Sequence, residues 1–304
     1  MNRRVDCLVV GGGPAGLTAA IYLARFHLAT VLVDAGASRA SQIPCTRNHA
    51  GFPEGIAGRE LIDRMRRQAV AAGAALRQGA ALQLDPSDEG LIVQTSIGAF
   101  EARTVLLATG VTNHAPQMPA DLHAAALAAG RLRYCPVCDG FEVTDQSVAV
   151  VGAGARAVKE ALFLRSYTRN VTLISNGPAQ AFSAAEHAEL ESSGVTSLDG
   201  PAEDFRLEPD GLSLSTAMGR RKFDSIYPAL GSTVHSDLAR ALGAELTDDG
   251  SIKVDAHQRT SIANVYAAGD VVVGLDQISH AMGEAGVAAT TIRNDLAMKA
   301  PLRR

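Results

Sequence analysis

The sequence predicts an α/β protein built of two Rossmann-like three-layer domains, the second inserted in the first. Three observations carry that expectation. An apolar run, a glycine-rich turn and a helix-compatible stretch follow one another at Gly11 and again at Gly152. A C-x-x-C pair, Cys135 and Cys138, lies between the two fingerprints. Late in the chain a further apolar run ends in Ala268-Gly269-Asp270, which reads as a return to the first domain. Strand, glycine turn and helix are the opening of a nucleotide-binding β-α-β unit, so both domains are expected to be of the nucleotide-binding kind.

Val5 to Val10 reads as the first strand, Leu17 to Phe26 as a helix and Thr30 to Asp34 as the second strand. Leu61 to Ala75, rich in Arg and Ala, has the pattern of an amphipathic helix. Leu91 to Thr95 and Phe100 to Leu107 read as strands, the latter ending at Ala108-Thr109-Gly110, and His114 to Pro119 reads as a linker. The pattern then restarts. Ser147 to Val151 is a strand, Gly152 to Gly154 a turn, Ala157 to Arg165 a helix, and Val171 to Ile174 a strand ending in Ser175-Asn176-Gly177. Ser225 to Leu230 follows as a strand, and Met282 to Leu296 as a closing helix. The expected division is residues 1–114 with 243–304 for the first domain and 115–242 for the second. The two fingerprints are a duplicated fold rather than a short-period repeat.

The bulk numbers narrow the class. At 304 residues there is room for two ordinary cores. A composition of 47% hydrophobic and 20% charged residues, with net charge −4, is that of a globular protein. Lys and Arg are scattered, which argues against a nucleic-acid partner. The apolar stretch behind Arg4 is too short for a signal or a membrane span, so no membrane association and a cytoplasmic location are expected. Four cysteines in such a chain do not make a disulfide scaffold; in a reducing compartment a close pair is catalytic or metal-binding.

Gly11-Gly12-Gly13-Pro14-Ala15-Gly16 satisfies G-x-G-x-x-G. Gly11 permits the tight turn, Gly13 lets the backbone approach a pyrophosphate, and Gly16 allows close helix–strand packing. Asp34, at the end of the next strand, places a carboxylate where ribose hydroxyls donate. Gly269-Asp270 suits a ribityl hydroxyl and the nearby pyrophosphate, with an ordinary helix cap as the plain alternative. For Cys135 and Cys138 a redox pair is favoured over zinc. Zinc needs two further ligands, Cys7 lies inside the first strand, and Cys45 belongs to no second C-x-x-C. Disulfide exchange needs a thiolate, which nearby positive charge favours. Asp139 is either a proton donor and acceptor beside the pair or a helix N-cap. In the second fingerprint, Gly152-Ala153-Gly154-Ala155-Arg156-Ala157, alanine takes the third glycine's place. The strand after it ends without an acid for a ribose or an Arg pair for a 2′-phosphate; Arg156 and Arg169 read as solvated surface charges, with a phosphate contact as the alternative. Cys7 and Cys45 read as small buried hydrophobes, with a redox role for Cys45 as its alternative. The eight histidines form no ligand or triad pattern, and His280 is near the expected dinucleotide site.

In this order the motifs resemble the low-molecular-weight thioredoxin reductase family over nearly the whole chain. They are Gly11 to Gly16, Ala108-Thr109-Gly110, Cys135-Pro136-Val137-Cys138-Asp139-Gly140, Gly152 to Ala157 with Glu160, Ala268-Gly269-Asp270 and Gln277. The resemblance implies FAD in the first domain, a redox disulfide on the second, a homodimer, and a rotation that alternately presents disulfide and nicotinamide to the flavin. It implies an FAD-dependent disulfide oxidoreductase that passes electrons from NADPH or NADH to a thioredoxin-like protein or a small disulfide. Cys135 and Cys138 carry over as the redox pair and Asp139 as the acid/base. Pro14, Ala15, Thr109, Gly110, Gly269, Asp270 and Gln277 carry over as flavin contacts, with Gln42 and Asn48 on the loop that reaches the isoalloxazine. Gly152 and Gly154 carry over to the nicotinamide site. Three departures stand beside it. The family's H-R-R-x-x-x-R signature is replaced by Ser175-Asn176-Gly177-Pro178, and Asp276 stands where an Arg usually precedes Gln277. Pro136-Val137 and Phe141-Glu142 are similar to relatives that run as oxygen-dependent dithiol oxidases, although those usually carry His where this chain has Asp139. Such oxidases, or reductases fed by ferredoxin or another flavin, are the alternative reading.

Overall fold

In the computed structural model, which describes residues 3–36, 38–176 and 182–302, the first apolar run forms β1 (Arg3–Val10). Helix α1 (Pro14–Arg25) opens at Pro14, earlier than the expected Leu17, because proline's preset φ suits the first helical position and its missing N–H costs nothing there. Strand β2 (Thr30–Asp34) follows as expected. Helix α2 (Gly58–Ala72) stops short of the expected Ala75, since Gly73 adopts a left-handed cap and releases Ala75 into β3 (Ala75–Gln78). Next come β4 (Ala81–Ser87), β5 (Gly90–Thr95), β6 (Gly98–Leu107) and β7 (Val111–Asn113).

After β7 the chain builds its second unit. It contains α3 (Ala120–Ala128), α4 (Pro136–Asp139), β8 (Val148–Gly152), α5 (Gly154–Leu164), β9 (Val171–Ser175), α6 (Ala184–Ser192), β10 (Thr196–Leu198), β11 (Glu203–Glu208), β12 (Gly211–Thr216), β13 (Gly219–Phe223) and β14 (Ser225–Ala229). The chain returns through β15 (Ser232–Val234), α7 (Asp237–Ala241), β16 (Val265–Ala267) and α8 (Ile278–Lys299). The first unit comprises Met1–Gln42, Ile56–Thr112 and Val234–Arg304, and the second comprises Ile43–Gly55 and Asn113–Thr233. The return falls at Val234 and not at residue 243, because Ala239 of α7, with Val234, Leu238 and Leu242, packs into the first unit's core.

The first unit's sheet runs β3-β2-β1-β6, with β16 parallel on the far half of β6 and β5 antiparallel on its near half, β4 in turn pairing antiparallel with β5. Leu8 and Val10 on β1, Val31 and Val33 on β2, and Val105 and Leu107 on β6 face one core, as period-two alternation requires. The intervening Cys7, Val9, Leu32 and Leu106 are buried as well, as expected of a parallel sheet covered on both faces. Helix α1 packs on α8.

In the second unit the parallel order is β10-β9-β8-β14. Val148 and Val150 join Leu173, Tyr227 and the α5 residues Ala157, Val158, Ala161 and Leu164 in one core. Their neighbours Ala149 and Val151 join Ile174, Ile226 and the β11–β12–β13 residues Phe205, Leu212 and Phe223 in another. Helices, parallel sheet and a small antiparallel sheet are thus its three layers. Each fully buried Val, Leu or Phe contributes about 1.5–3 kcal/mol before entropy is counted. Among the described residues no helix is long and apolar enough to cross a membrane.

Candidate active site

The first fingerprint forms a cradle at the end of β1. A methyl group on Gly16 would lie 1.9 Å from the Gly11 carbonyl oxygen, and one on Gly11 would lie 2.3 Å from that of Ala108, so both glycines are packing requirements. Gly13 is the N-cap of α1 and has no side chain with which to cap it. Pro14 has no N–H, and the first-turn N–H groups of Ala15 and Gly16 are therefore left to an anion such as a pyrophosphate. Asp34 accepts from the N–H groups of Gly12 and Gly36, each at 3.1 Å, and pairs with Arg66 of α2. A Cβ on Gly12 would come within 2.3 Å of the Asp34 carboxyl, a demand the motif reading missed although the run of three glycines carried the signal.

Thr109 and Gly110 are tied to one residue. The Thr109 hydroxyl donates to the His235 carbonyl at 2.6 Å, and the His235 N–H donates to the Gly110 carbonyl at 3.0 Å. Gly269, with φ of 81°, lets the end of β16 sit on α1, where a Cβ would meet that of Ala15 at 2.8 Å. Asp270 is not a plain cap: its carboxylate pairs with Arg39 at 2.7 Å, and Arg39 also reaches Asp276 at 3.2 Å. Burial pushes the Asp270 carboxyl above the usual carboxylate range, the Arg39 charge pulls it back, and Asp276 adds to the rise. The negative charge at Asp276 is thus answered by Arg39 on the short 3-10 turn Arg39–Gln42, a partner the sequence did not suggest. Gln42 closes that turn, and Gln277 is the N-cap of α8, which starts at Ile278, a turn before the expected Met282. His280, in the first turn of α8, pairs with Glu284 at 2.9 Å.

The second unit holds the cysteines. Cys135 and Cys138 are joined as a disulfide. Cys135 caps the short α4, its Sγ accepting from the Cys138 N–H at 3.1 Å, and Pro136 takes the first helical position. Asp139 makes no side-chain cap. One of its carboxylate oxygens accepts from Arg133 at 2.8 Å and the other from the Tyr227 hydroxyl at 3.0 Å. Burial raises the Asp139 carboxyl above its ordinary range, while Arg133 and then Tyr227 act in the opposite direction. Both carboxylate oxygens are therefore held, on the residue that follows Cys138. Arg133 stood in plain view two residues before Cys135; Tyr227 carries no sequence signal, because only the β14–β8 pairing brings it here. Gly140 is required by Tyr167, whose ring a Cβ would meet at 2.6 Å. Asn48, on the loop 43–55, accepts from the Thr46 hydroxyl at 3.0 Å. On the same loop Cys45 is partly exposed and not buried, whereas Cys7 is buried and its thiol is pushed up to about 12.

At the second fingerprint a Cβ on Gly152 would meet the Ala229 carbonyl at 2.7 Å, while Gly154 opens α5 with free space around it. Ser175 ends β9 where a ribose-binding acid would stand; it is buried, and its hydroxyl accepts from the Gly200 N–H at 3.0 Å. Asn176 is exposed, as are Arg156 and Arg169, and Gly177 and Pro178 lie outside the described residues.

A family model described as pyridine nucleotide-disulphide oxidoreductase matches residues 5–285. The chain is 34% identical over 285 residues to a thioredoxin reductase of Mycolicibacterium smegmatis, covering 88% of each chain. It superposes on a thioredoxin reductase from Streptococcus pyogenes MGAS5005 with TM-score 0.89 and 25% identity, covering 98% of this chain and 100% of that one. The structure of HlmI matches with TM-score 0.88 and 27% identity, covering 97% of this chain and 93% of that one.

Proposed function

Since the chain belongs to the pyridine nucleotide-disulphide oxidoreductase family and is a thioredoxin-reductase-like, FAD-dependent thiol–disulfide oxidoreductase, we propose that it passes electrons from NADPH or NADH to a thioredoxin-like protein or a small disulfide through Cys135 and Cys138. The observation that carries this reading is the Cys135–Cys138 disulfide with the Asp139 carboxyl clamped by Arg133 and Tyr227 next to it. Bound FAD supplies a two-electron centre for exchange between a donor and the cysteine pair. The cradle of uncapped α1 N–H groups, Asp34 and Asp270 matches its pyrophosphate and its hydroxyl-bearing chains.

In the dithiol form one cysteine thiolate attacks a substrate disulfide, forming a mixed disulfide and releasing one substrate thiolate. The second cysteine then attacks the mixed disulfide, closing Cys135–Cys138 and releasing the other thiolate. Asp139 hands a proton to the departing cysteine thiolate when the pair is reduced, takes it back when the pair is reoxidised, and passes it to a departing substrate thiolate. Substrate gains two electrons and two protons, and the cysteine pair loses them.

A second reading, an enzyme that does not use NAD(P)H, rests on one feature. At Ser175 and Asn176 there is neither an acid for a ribose nor a base for a phosphate, and the Ser175 hydroxyl is already engaged by Gly200. Anaerobic titration separates the two. Bleaching of the flavin band by near-stoichiometric NADPH or NADH supports the first reading. Indifference to both, with bleaching by dithiols and recovery in air, supports an oxygen-dependent dithiol oxidase. Bleaching only by reduced ferredoxin or another reduced flavoprotein supports a reductase with that donor.

A further inference from the structure

The Gly269 N–H is buried and engaged by the protein itself. It donates at 2.7 Å to Glu284, a carboxylate that is 9% exposed and lies two turns inside α8. Any carbonyl would satisfy a buried N–H; a carboxylate there costs burial of a charge and needs a counterion. His280, one helical turn earlier on the same face and 42% exposed at its side chain, meets it at 2.9 Å and is that counterion when its imidazole is protonated. Gly274 seals the arrangement, for a Cβ there would lie 2.8 Å from His280 Nε2 and 3.3 Å from a Glu284 carboxylate oxygen. The loop from Asp270 to Gln277 therefore closes directly on the His280–Glu284 pair. One end of that loop is the strand end bearing Gly269 and Asp270, and the other is the α8 N-cap, Gln277.

We propose that Glu284 is a positioning residue for FAD: with His280 as its counterion it holds the Gly269–Asp270 peptide from behind and so aims Asp270, whose other restraint is Arg39. The assignment rests on the reading of Asp270 as an FAD contact. The groups also interact through charge. Burial pushes both the Glu284 and the Asp270 carboxyls up, Asp270 adds to the rise at Glu284, and His280 opposes the rise at both. Neither Glu284 nor His280 was linked to Gly269 by any sequence motif, because both follow it in a separate element and meet it only through the folded loop.

The test is equilibrium FAD binding to protein stripped of flavin, read by quenching of flavin fluorescence, so that turnover is not needed. Glu284→Ala leaves a buried N–H without an acceptor and is expected to raise the FAD dissociation constant about tenfold. Glu284→Gln keeps an acceptor oxygen and should stay within about threefold of the wild type. Because Glu284 acts through Asp270, adding Glu284→Ala to Asp270→Asn should weaken binding little beyond Asp270→Asn alone. His280→Ala should weaken binding severalfold when Glu284 is present and have no effect in the Glu284→Gln background, where no charge needs a counterion. That second comparison decides the matter if Glu284→Ala does not fold. The proposal is overturned if Glu284→Ala binds FAD like the wild type, if its loss multiplies with that of Asp270→Asn, or if His280→Ala acts equally in both backgrounds. Wild-type affinity in Asp270→Asn would instead overturn the reading of Asp270 itself.

Discussion

Asp139 owes its character to its neighbours rather than to its place in the motif. A carboxyl beside a cysteine pair is as good a cap as an acid in sequence terms, and only the Arg133 and Tyr227 hydrogen bonds separate those roles. Because burial raises its pKa and Arg133 lowers it, Arg133→Gln is expected to move the Asp139-linked inflection of the pH–rate profile to higher pH. Asp139 acting as an acid would then stay protonated further into the alkaline range; an unmoved inflection would show that another group supplies the proton. Gly12 makes a sharper case. With its Cβ position 2.3 Å from the Asp34 carboxyl, Gly12→Ala must displace that side chain, and flavin content after purification should fall at least about tenfold. Gly36→Ala, at a position with open space but a φ of 91°, should cost only about 1 kcal/mol of stability, measured by denaturant midpoint.

Among the elements, α5 carries the clearest pH signature. Glu160, one turn past the second fingerprint, has its carboxyl pushed up by burial from its ordinary 4.5 to about 7, with only Arg156 opposing. An acid whose folded pKa is raised stabilises the fold fully below its unfolded pKa and loses that contribution as pH rises through the folded value. Glu160→Gln should therefore be more stable than the wild type at pH 8, by about 1–2 kcal/mol once partial exposure is discounted, and no more stable at pH 4.5. Urea midpoints at the two pH values check this. The expected helices stood in the right places, and their ends moved for local reasons: Pro14 started α1 early and Gly73 stopped α2. The strands β11–β13 were not read from the sequence. Gly219-Arg220-Arg221-Lys222-Phe223 has four exposed residues and one buried one, so its periodicity is too weak to announce a strand that exists because β12 pairs with it.

Across the whole molecule, each unit has cores drawn from its own residues, one around β1, β2 and β6 and others on the two faces of β8 and β9. FAD binding should raise the melting transition of the first unit more than that of the second, because a ligand stabilises the structure in proportion to how much of the site it supplies. Calorimetry of stripped and reloaded protein checks this; equal shifts of both would place flavin contacts in both units. The sequence by itself determined the α/β class, the two fingerprints, the cysteine pair and the strand-end acids Asp34 and Asp270. Local periodicity and glycine spacing express those features within about 30 residues. Tertiary structure alone decided which groups answer them: Arg66 at Asp34, Arg39 at Asp270, the Tyr227 hydroxyl at Asp139 and Glu284 behind Gly269. Arg66 comes 32 residues after Asp34, Arg39 lies 231 residues from Asp270, and Tyr227 lies 88 residues from Asp139. Parallel-sheet register and loop closure bring such pairs together, and the cost or gain of a buried charge exists only once that burial has formed.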